Sequence, residues 1–131
     1  MKTGSTLAFE QIEVGTQYSF EHEFTRTDER HFAEMTGDSS VVVMPGESVP
    51  IVHGMLAASF FSTLVDTYPG PNCLYISQTL QFRKALRYGD HVVVRGTVLE
   101  KSPSTRMITL RTEMLLREEV AIAGEAKVTL L

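Results

Sequence analysis

His53-Gly54-Met55-Leu56-Ala57-Ala58-Ser59-Phe60-Phe61-Ser62-Thr63-Leu64-Val65 contains no charged side chain; the first one follows at Asp66. Wound at 3.6 residues per turn, the stretch puts apolar and small residues on every face. Such a helix is buried, because none of its faces suits water. The reading predicts one helix from His53 to Thr67, ended by Pro69-Gly70-Pro71, where proline removes the backbone donor that a further turn needs. The rest of the chain must then supply an apolar surface that wraps this helix.

The sequence downstream supplies it. Leu74, Ile76, Gln78, Leu80 and Phe82 alternate with Tyr75, Ser77, Thr79, Gln81 and Arg83. The turn Tyr88-Gly89-Asp90 precedes Val92, Val94, Gly96 and Val98, and Ser102-Pro103-Ser104 precedes Ile108, Leu110, Thr112, Met114 and Leu116. After Arg117-Glu118-Glu119 come Val120, Ile122, Gly124, Ala126, Val128 and Leu130. A period of two marks strands with one buried face. Four such segments in a row predict an antiparallel meander.

Upstream, Tyr18, Phe20, His22 and Phe24 share one side of a strand predicted from Thr16 to Thr25. Thr27 to Thr36 reads as a short helix capped by Thr27, with Asp28 and Glu29 in its first turn and Gly37 as its stop. Phe32 and Met35 are expected to share its buried face. Gly37 to Val52 reads as a loop, broken by Pro45-Gly46 and Pro50. Its apolar run Val41-Val42-Val43-Met44 is expected to pack inward or against a partner. The expected fold is therefore α+β, in which one long helix is gripped by an antiparallel sheet of about five strands.

The 131 residues suit a single domain over 1–131. Twelve basic against sixteen acidic side chains give a net charge of −4, which is not the basic footprint of a nucleic-acid binder. The lone Cys73 excludes an internal disulfide framework and a cysteine-built metal site. No apolar run approaches the ~20 residues of a membrane span. Met1 to Ser5 leads into Glu10 and Glu13 and lacks the apolar centre of a signal peptide. A cytoplasmic protein with no metal and no membrane contact is the expectation.

Three stretches carry a resemblance. Phe32-Ala33-Glu34-Met35-Thr36-Gly37-Asp38, then Pro50-Ile51-Val52-His53-Gly54-Met55-Leu56, then Leu74 to Phe82 continuing to Tyr88-Gly89-Asp90, together resemble the MaoC-like hotdog family. Its members are (R)-specific enoyl-CoA hydratases and 3-hydroxyacyl-thioester dehydratases. The resemblance implies a hotdog fold and reversible addition of water to a 2-enoyl thioester. It implies no cofactor beyond coenzyme A or phosphopantetheine as the substrate's carrier, and an acyl-CoA or acyl-carrier-protein substrate. It also implies a homodimer, or a heterodimer with a related hotdog chain. Asp38 matches the family's catalytic aspartate, and Gly54 matches the position whose N–H meets the thioester oxygen. Ser62 matches a serine that bonds the aspartate. Tyr75 and Gln78 are candidates for the acyl channel, and Arg83, Lys84 and Arg87 for the carrier's phosphates.

One position departs from the family. Five residues after the aspartate the family places its catalytic histidine; here Val43 stands there, and the segment up to His53 is several residues shorter. Valine neither gives nor takes a proton. His53 and Glu47 are the candidates for the missing acid or base, and the bland reading of His53 is a residue that fixes the turn into the helix. Three functions follow: a hydratase or dehydratase with weak turnover on its own, a non-catalytic subunit of a heteromeric dehydratase, or a hotdog enzyme with diverged thioester or polyketide chemistry.

Overall fold

The computed structural model describes residues 7–131; the reading of Met1 to Ser5 lies outside the described residues. After a 3-10 turn at Phe9–Gln11 come β1 (Gln17–Glu23), α1 (Arg26–Thr36), α2 (Gly54–Ala58) and α3 (Phe61–Thr67). Then follow β2 (Cys73–Gln78), β3 (Gln81–Phe82), β4 (His91–Ser102), β5 (Met107–Leu116) and β6 (Glu119–Leu130). The strands form one antiparallel sheet in the order β1-β4-β5-β6-β2, with β3 also on β6. Among the described residues no helix is long and apolar enough to cross a membrane.

The fold class is the expected one, and the two-residue β3 makes the sixth strand. The connectivity differs from a four-strand meander. Only β4, β5 and β6 run as neighbours in sequence order; β2 pairs with β6 at the far edge. The reason lies in the segment between β3 and β4, which is no tight hairpin. Its backbone is engaged elsewhere: Val52 N–H donates to Leu86 O at 2.7 Å, and Ile51 bridges Arg87. The turn itself forms as read, with Gly89 at φ 105° and the Asp90 carboxylate accepting the Arg87 N–H at 2.8 Å.

β2 and β3 are one strand interrupted at Thr79 and Leu80. Gly124 of β6 makes the interruption possible, because a Cβ there would stand 1.8 Å from the Thr79 carbonyl oxygen. The Thr79 N–H donates to Glu125 O, and the Glu125 N–H donates back to the Thr79 hydroxyl, both at 2.9 Å.

The central helix is likewise interrupted. Near Ser59 and Phe60 the bonds tighten to i→i−3, as in Phe60 N–H to Ala57 O and Thr63 N–H to Phe60 O. The Ser59 hydroxyl donates to Leu56 O at 2.6 Å, a local bond that competes with the helical ladder. Both residues keep right-handed helical angles, so the two segments continue in one direction. Leu56, Ala57, Phe61 and Leu64 are buried with Val94, Met114 and Ile122 of the sheet. Val65 enters the second core cluster with Ile12, Val98 and Ile108. Burial is not complete all round: Met55, Ser59, Ser62 and Asp66 form an exposed stripe at helical spacing.

α1 begins one residue earlier than read, and its cap moves to Thr25. The Asp28 N–H donates to the Thr25 hydroxyl at 3.2 Å while the Asp28 carboxylate accepts the Thr25 N–H at 3.0 Å, a reciprocal capping box. Thr27 is already inside the helix. Phe32 is the one buried residue of α1, and Met35 is 80% exposed, so the expected pairing of the two on a buried face does not occur. Thr25→Ala is expected to cost about 1 kcal/mol in urea unfolding. Thr27→Ala should stay within about 0.5 kcal/mol of wild type. The opposite order would place the cap at Thr27.

Candidate functional site

α1 ends at Gly37, whose φ of 80° and N–H bond to Ala33 O at 2.8 Å make a left-handed cap. Glycine takes that conformation without a Cβ penalty. The chain then turns at Asp38. Its N–H donates to the Thr36 hydroxyl at 3.1 Å, and its Oδ1 accepts the Ser40 N–H at 3.2 Å and the Ser40 hydroxyl at 2.7 Å. The Ser40 hydroxyl is the first cause holding this carboxyl below its ordinary range, followed by the Ser40 N–H; the nearby His53 acts in the same direction. The second oxygen, Oδ2, faces His53 Nδ1 at 3.5 Å. The His53 ring stacks on Phe32 at 5.1 Å between centroids. His53 is 13% exposed and Asp38 47%, so the pair has one screened member and one in water.

The loop beyond Asp38 is fastened at its far end. Ile51 N–H donates to Val42 O at 2.8 Å, and Glu47 N–H donates to Met44 O at 3.0 Å. Both Glu47 carboxylate oxygens accept from Arg87, Oε1 from Nε at 2.5 Å and Oε2 from Nη2 at 2.8 Å. The guanidinium holds the Glu47 carboxyl below its ordinary value. Glu47 is thus a paired anion bound to Arg87 and not a partner of Asp38. Val41, Val42, Val43 and Met44 are 58%, 53%, 42% and 40% exposed. In the single chain this run faces outward and does not pack inward.

Gly54 opens the helix and lines a cavity of about 370 Å³ with Ile51, Ala57, Phe82, Leu86 and Ile122. A Cβ on Gly54 would meet the Phe82 ring at 2.8 Å, so the missing side chain lets that ring lie against the backbone. Exposed Arg83 and Lys84 also line this cavity. Lys84 pairs with Glu119, and Arg83 donates to the Gln81 side-chain oxygen at 3.2 Å.

Ser62, Tyr75 and Gln78 gather elsewhere, in a cavity of about 300 Å³ beside Met55, Ser59 and Leu80. Tyr75 donates to the Gln78 side-chain oxygen, and Gln78 Nε2 donates to the buried Thr112 hydroxyl at 2.9 Å and to Thr79 O at 2.8 Å. Burial pushes the Tyr75 phenol up to about 12, which keeps it a neutral donor. Ser62 is not among the hydrogen-bond partners of Asp38. The sequence candidates therefore fall into four groups: Asp38 with His53, Glu47 with Arg87, Gly54 with the cavity that Arg83 and Lys84 line, and Ser62 with Tyr75 and Gln78. Ser40, Phe32 and Phe82 were not read from the sequence as neighbours of the site. For Ser40 there was a signal, since aspartate two residues before serine after a helix-ending glycine is an Asx turn. No local pattern announces that Phe82 covers Gly54.

The chain matches no family model. It is 36% identical over 130 residues to a 3-hydroxybutyryl-CoA dehydratase of Methylorubrum extorquens, spanning 93% of this chain and 83% of the relative. The chain belongs to the MaoC-like hotdog family. An (R)-specific enoyl-CoA hydratase of Rhodospirillum rubrum is 32% identical, over 92% of this chain and 89% of that protein. The solved structure of the unliganded R-hydratase PhaJ1 from Pseudomonas aeruginosa superposes with a TM-score of 0.85 at 26% identity, covering 95% of this chain and 86% of that one. A chain of the ChsH1-ChsH2 complex from Mycobacterium tuberculosis shares the fold, with a TM-score of 0.81 at 17% identity over 92% and 100% of the two chains.

The Glu47–Arg87 pair makes a prediction for this MaoC-like chain. The Glu47 carboxyl titrates below its ordinary 4.5 when folded. Its contribution is therefore complete above about that pH and is lost as pH falls through the lower folded value. Glu47→Gln is expected to lose that part of the acid dependence of unfolding. Hydrogen exchange should quicken at the loop amides of residues 41–49. Unchanged exchange would mean that the ion pair does not hold the loop.

Proposed function

We propose that this chain hydrates 2-enoyl thioesters and, in reverse, dehydrates 3-hydroxyacyl thioesters, with the acyl group carried on coenzyme A or on an acyl carrier protein. The observation that carries this reading is that His53, whose ring faces the Asp38 carboxylate at 3.5 Å, immediately precedes Gly54, which lines the apolar cavity together with exposed Arg83 and Lys84. An acyl chain suits the apolar lining of Ile51, Leu86 and Ile122. A carrier phosphate suits the exposed cations. The reaction adds a water oxygen to C3 and a proton to C2, and one carboxylate–imidazole pair suffices to move both protons. The names of the two curated relatives support this substrate class.

Turnover by the chain alone is expected to be slow. A positioned acid–base group contributes ~10²–10⁴-fold, and here Asp38 is half in water and 3.5 Å from the ring. Loss of enoyl absorbance with crotonyl-CoA measures turnover, and calorimetry with butyryl-CoA measures binding. Saturable binding with slow hydration is the expected result. The absence of any hydration, with or without binding, would end this reading.

The working unit we propose is a cytoplasmic dimer joined through β2. That edge of the sheet is unpaired, and Cys73 to Gln81 carries no charge, whereas the opposite edge strand carries Glu21 and Glu23. Leu74 and Ile76 are 52% and 48% exposed. An uncharged open edge invites another strand. Exposed Val41 to Met44 favours a second reading, in which the partner is a related chain and this one is the non-catalytic subunit of a heteromeric dehydratase. Light scattering is expected to give about twice the 14.6 kDa of the chain. A monomer mass across micromolar concentrations would refute the pairing.

A further inference from the structure

Resting on the hydratase reading above, we infer that His53 is the catalytic base of this chain through its Nε2, with Asp38 as the residue that positions it. The position five residues after Asp38 carries no acid or base, because Val43 is there and faces outward. The other three histidines are placed away from Asp38. His22 bonds Asp28 at 2.9 Å, His91 pairs with Glu23 at 3.3 Å, and His31 lies on the exposed side of α1. Glu47 is occupied by two bonds to Arg87. His53 is thus the one imidazole that meets the Asp38 carboxylate.

The surroundings orient the ring. Oδ1 of Asp38 is committed to Ser40 by two bonds, which leaves Oδ2 for His53 Nδ1. Phe32 stacks against one face of the imidazole. The backbone at this residue is fixed as well: His53 O accepts the Ala57 N–H at 3.0 Å, and the preceding Val52 N–H is bonded to Leu86 O. Among the described residues nothing hydrogen-bonds His53 Nε2. A carboxylate facing Nδ1 favours the tautomer with its proton on Nδ1 and the lone pair on Nε2.

The step balances with that single group. Nε2 takes a proton from water as the water oxygen bonds to C3. The C2–C3 π electrons move toward the thioester carbonyl, and its oxygen carries the enolate charge. The imidazolium Nε2–H then gives its proton to C2, the carbonyl re-forms, and the neutral ring is restored. One water is added, and no oxidant, reductant or metal is consumed. Both new bonds form on the face of the double bond that looks toward His53.

The test compares the full-length chain with His53→Gln and Asp38→Asn. Crotonyl-CoA hydration is followed by loss of enoyl absorbance, butyryl-CoA binding by calorimetry, and the His53 ring nitrogen shifts by NMR in the wild type and in Asp38→Asn. His53→Gln is expected to lose ~10²–10⁴-fold in kcat with butyryl-CoA binding retained. Asp38→Asn is expected to keep part of the turnover. Its loss should fall on kcat with butyryl-CoA binding unchanged, the split expected when a positioning contact is removed. Undiminished hydration by His53→Gln would overturn the inference and leave the hydratase reading intact. Wild-type chain that binds butyryl-CoA and never hydrates crotonyl-CoA would overturn both. His53 ring nitrogen shifts that are the same in wild type and Asp38→Asn would overturn the pairing whatever the kinetics of the variants.

Discussion

Burial of Leu56, Ala57, Phe61 and Leu64 against the sheet is the constraint on which the rest of the molecule depends. Full burial of a large aliphatic or aromatic side chain is worth about 1.5–3 kcal/mol, so this one face outweighs any ion pair on the surface, whose median is about 0–1 kcal/mol. A helix placed this way fixes where its first residue emerges. Val52 is 3% exposed and bonded to Leu86, and His53 and Gly54 follow at once. His53 and Gly54 are therefore attached to a well-anchored junction, while the loop that approaches them from Asp38 is held through Val42, Met44 and Glu47.

Much of the fold was legible because its signals are periodic. A charge-free run of thirteen residues from His53 to Val65 and four alternating segments leave few arrangements open. What escaped the sequence are the features that depend on two distant backbones. The Thr79 kink needs Gly124 opposite it, and β2 goes to the far edge because the segment after β3 is bonded to Ile51 and Val52. Neither partner announces the other in its own neighbourhood. The shift of the α1 cap from Thr27 to Thr25 is different: Thr25-Arg26-Thr27-Asp28 carries the box spacing, and the nearer threonine competed with it.

At the site the same division holds. Asp38 and Gly54 were legible from motifs, and their neighbourhood follows from the resemblance. The grouping of the candidates was not. His53 lies fifteen positions after Asp38, and Arg87 forty after Glu47; spacing within a loop says nothing about which carboxylate meets which cation. Glu47 and Asp38 are both exposed carboxylates of one connection, yet one meets a guanidinium and the other an imidazole. That difference sorts them chemically. Glu47 next to a permanent cation stays an anion over the working range and serves as a fastening. Asp38 meets an imidazole, which can give or take a proton at its other ring nitrogen.

The shortened loop gives the argument its last step. A histidine inside a loop of exposed valines would have to be held by the loop itself, and here the fastenings run through Ile51 and Glu47 at the far end. The ring of His53 needs no such support, because the helix start, Phe32 and Leu86 already fix its backbone and one ring face. Misplacement of a reacting group by about 1 Å can cost ~10²-fold. Rigidity therefore favours an acid or base on the helix junction over one on the loop. Trimming the loop and losing its histidine are then compatible with chemistry at this end of the helix, provided the carboxylate that remains, Asp38, keeps Oδ2 turned toward Nδ1. Ser40 does that by taking Oδ1 with two hydrogen bonds.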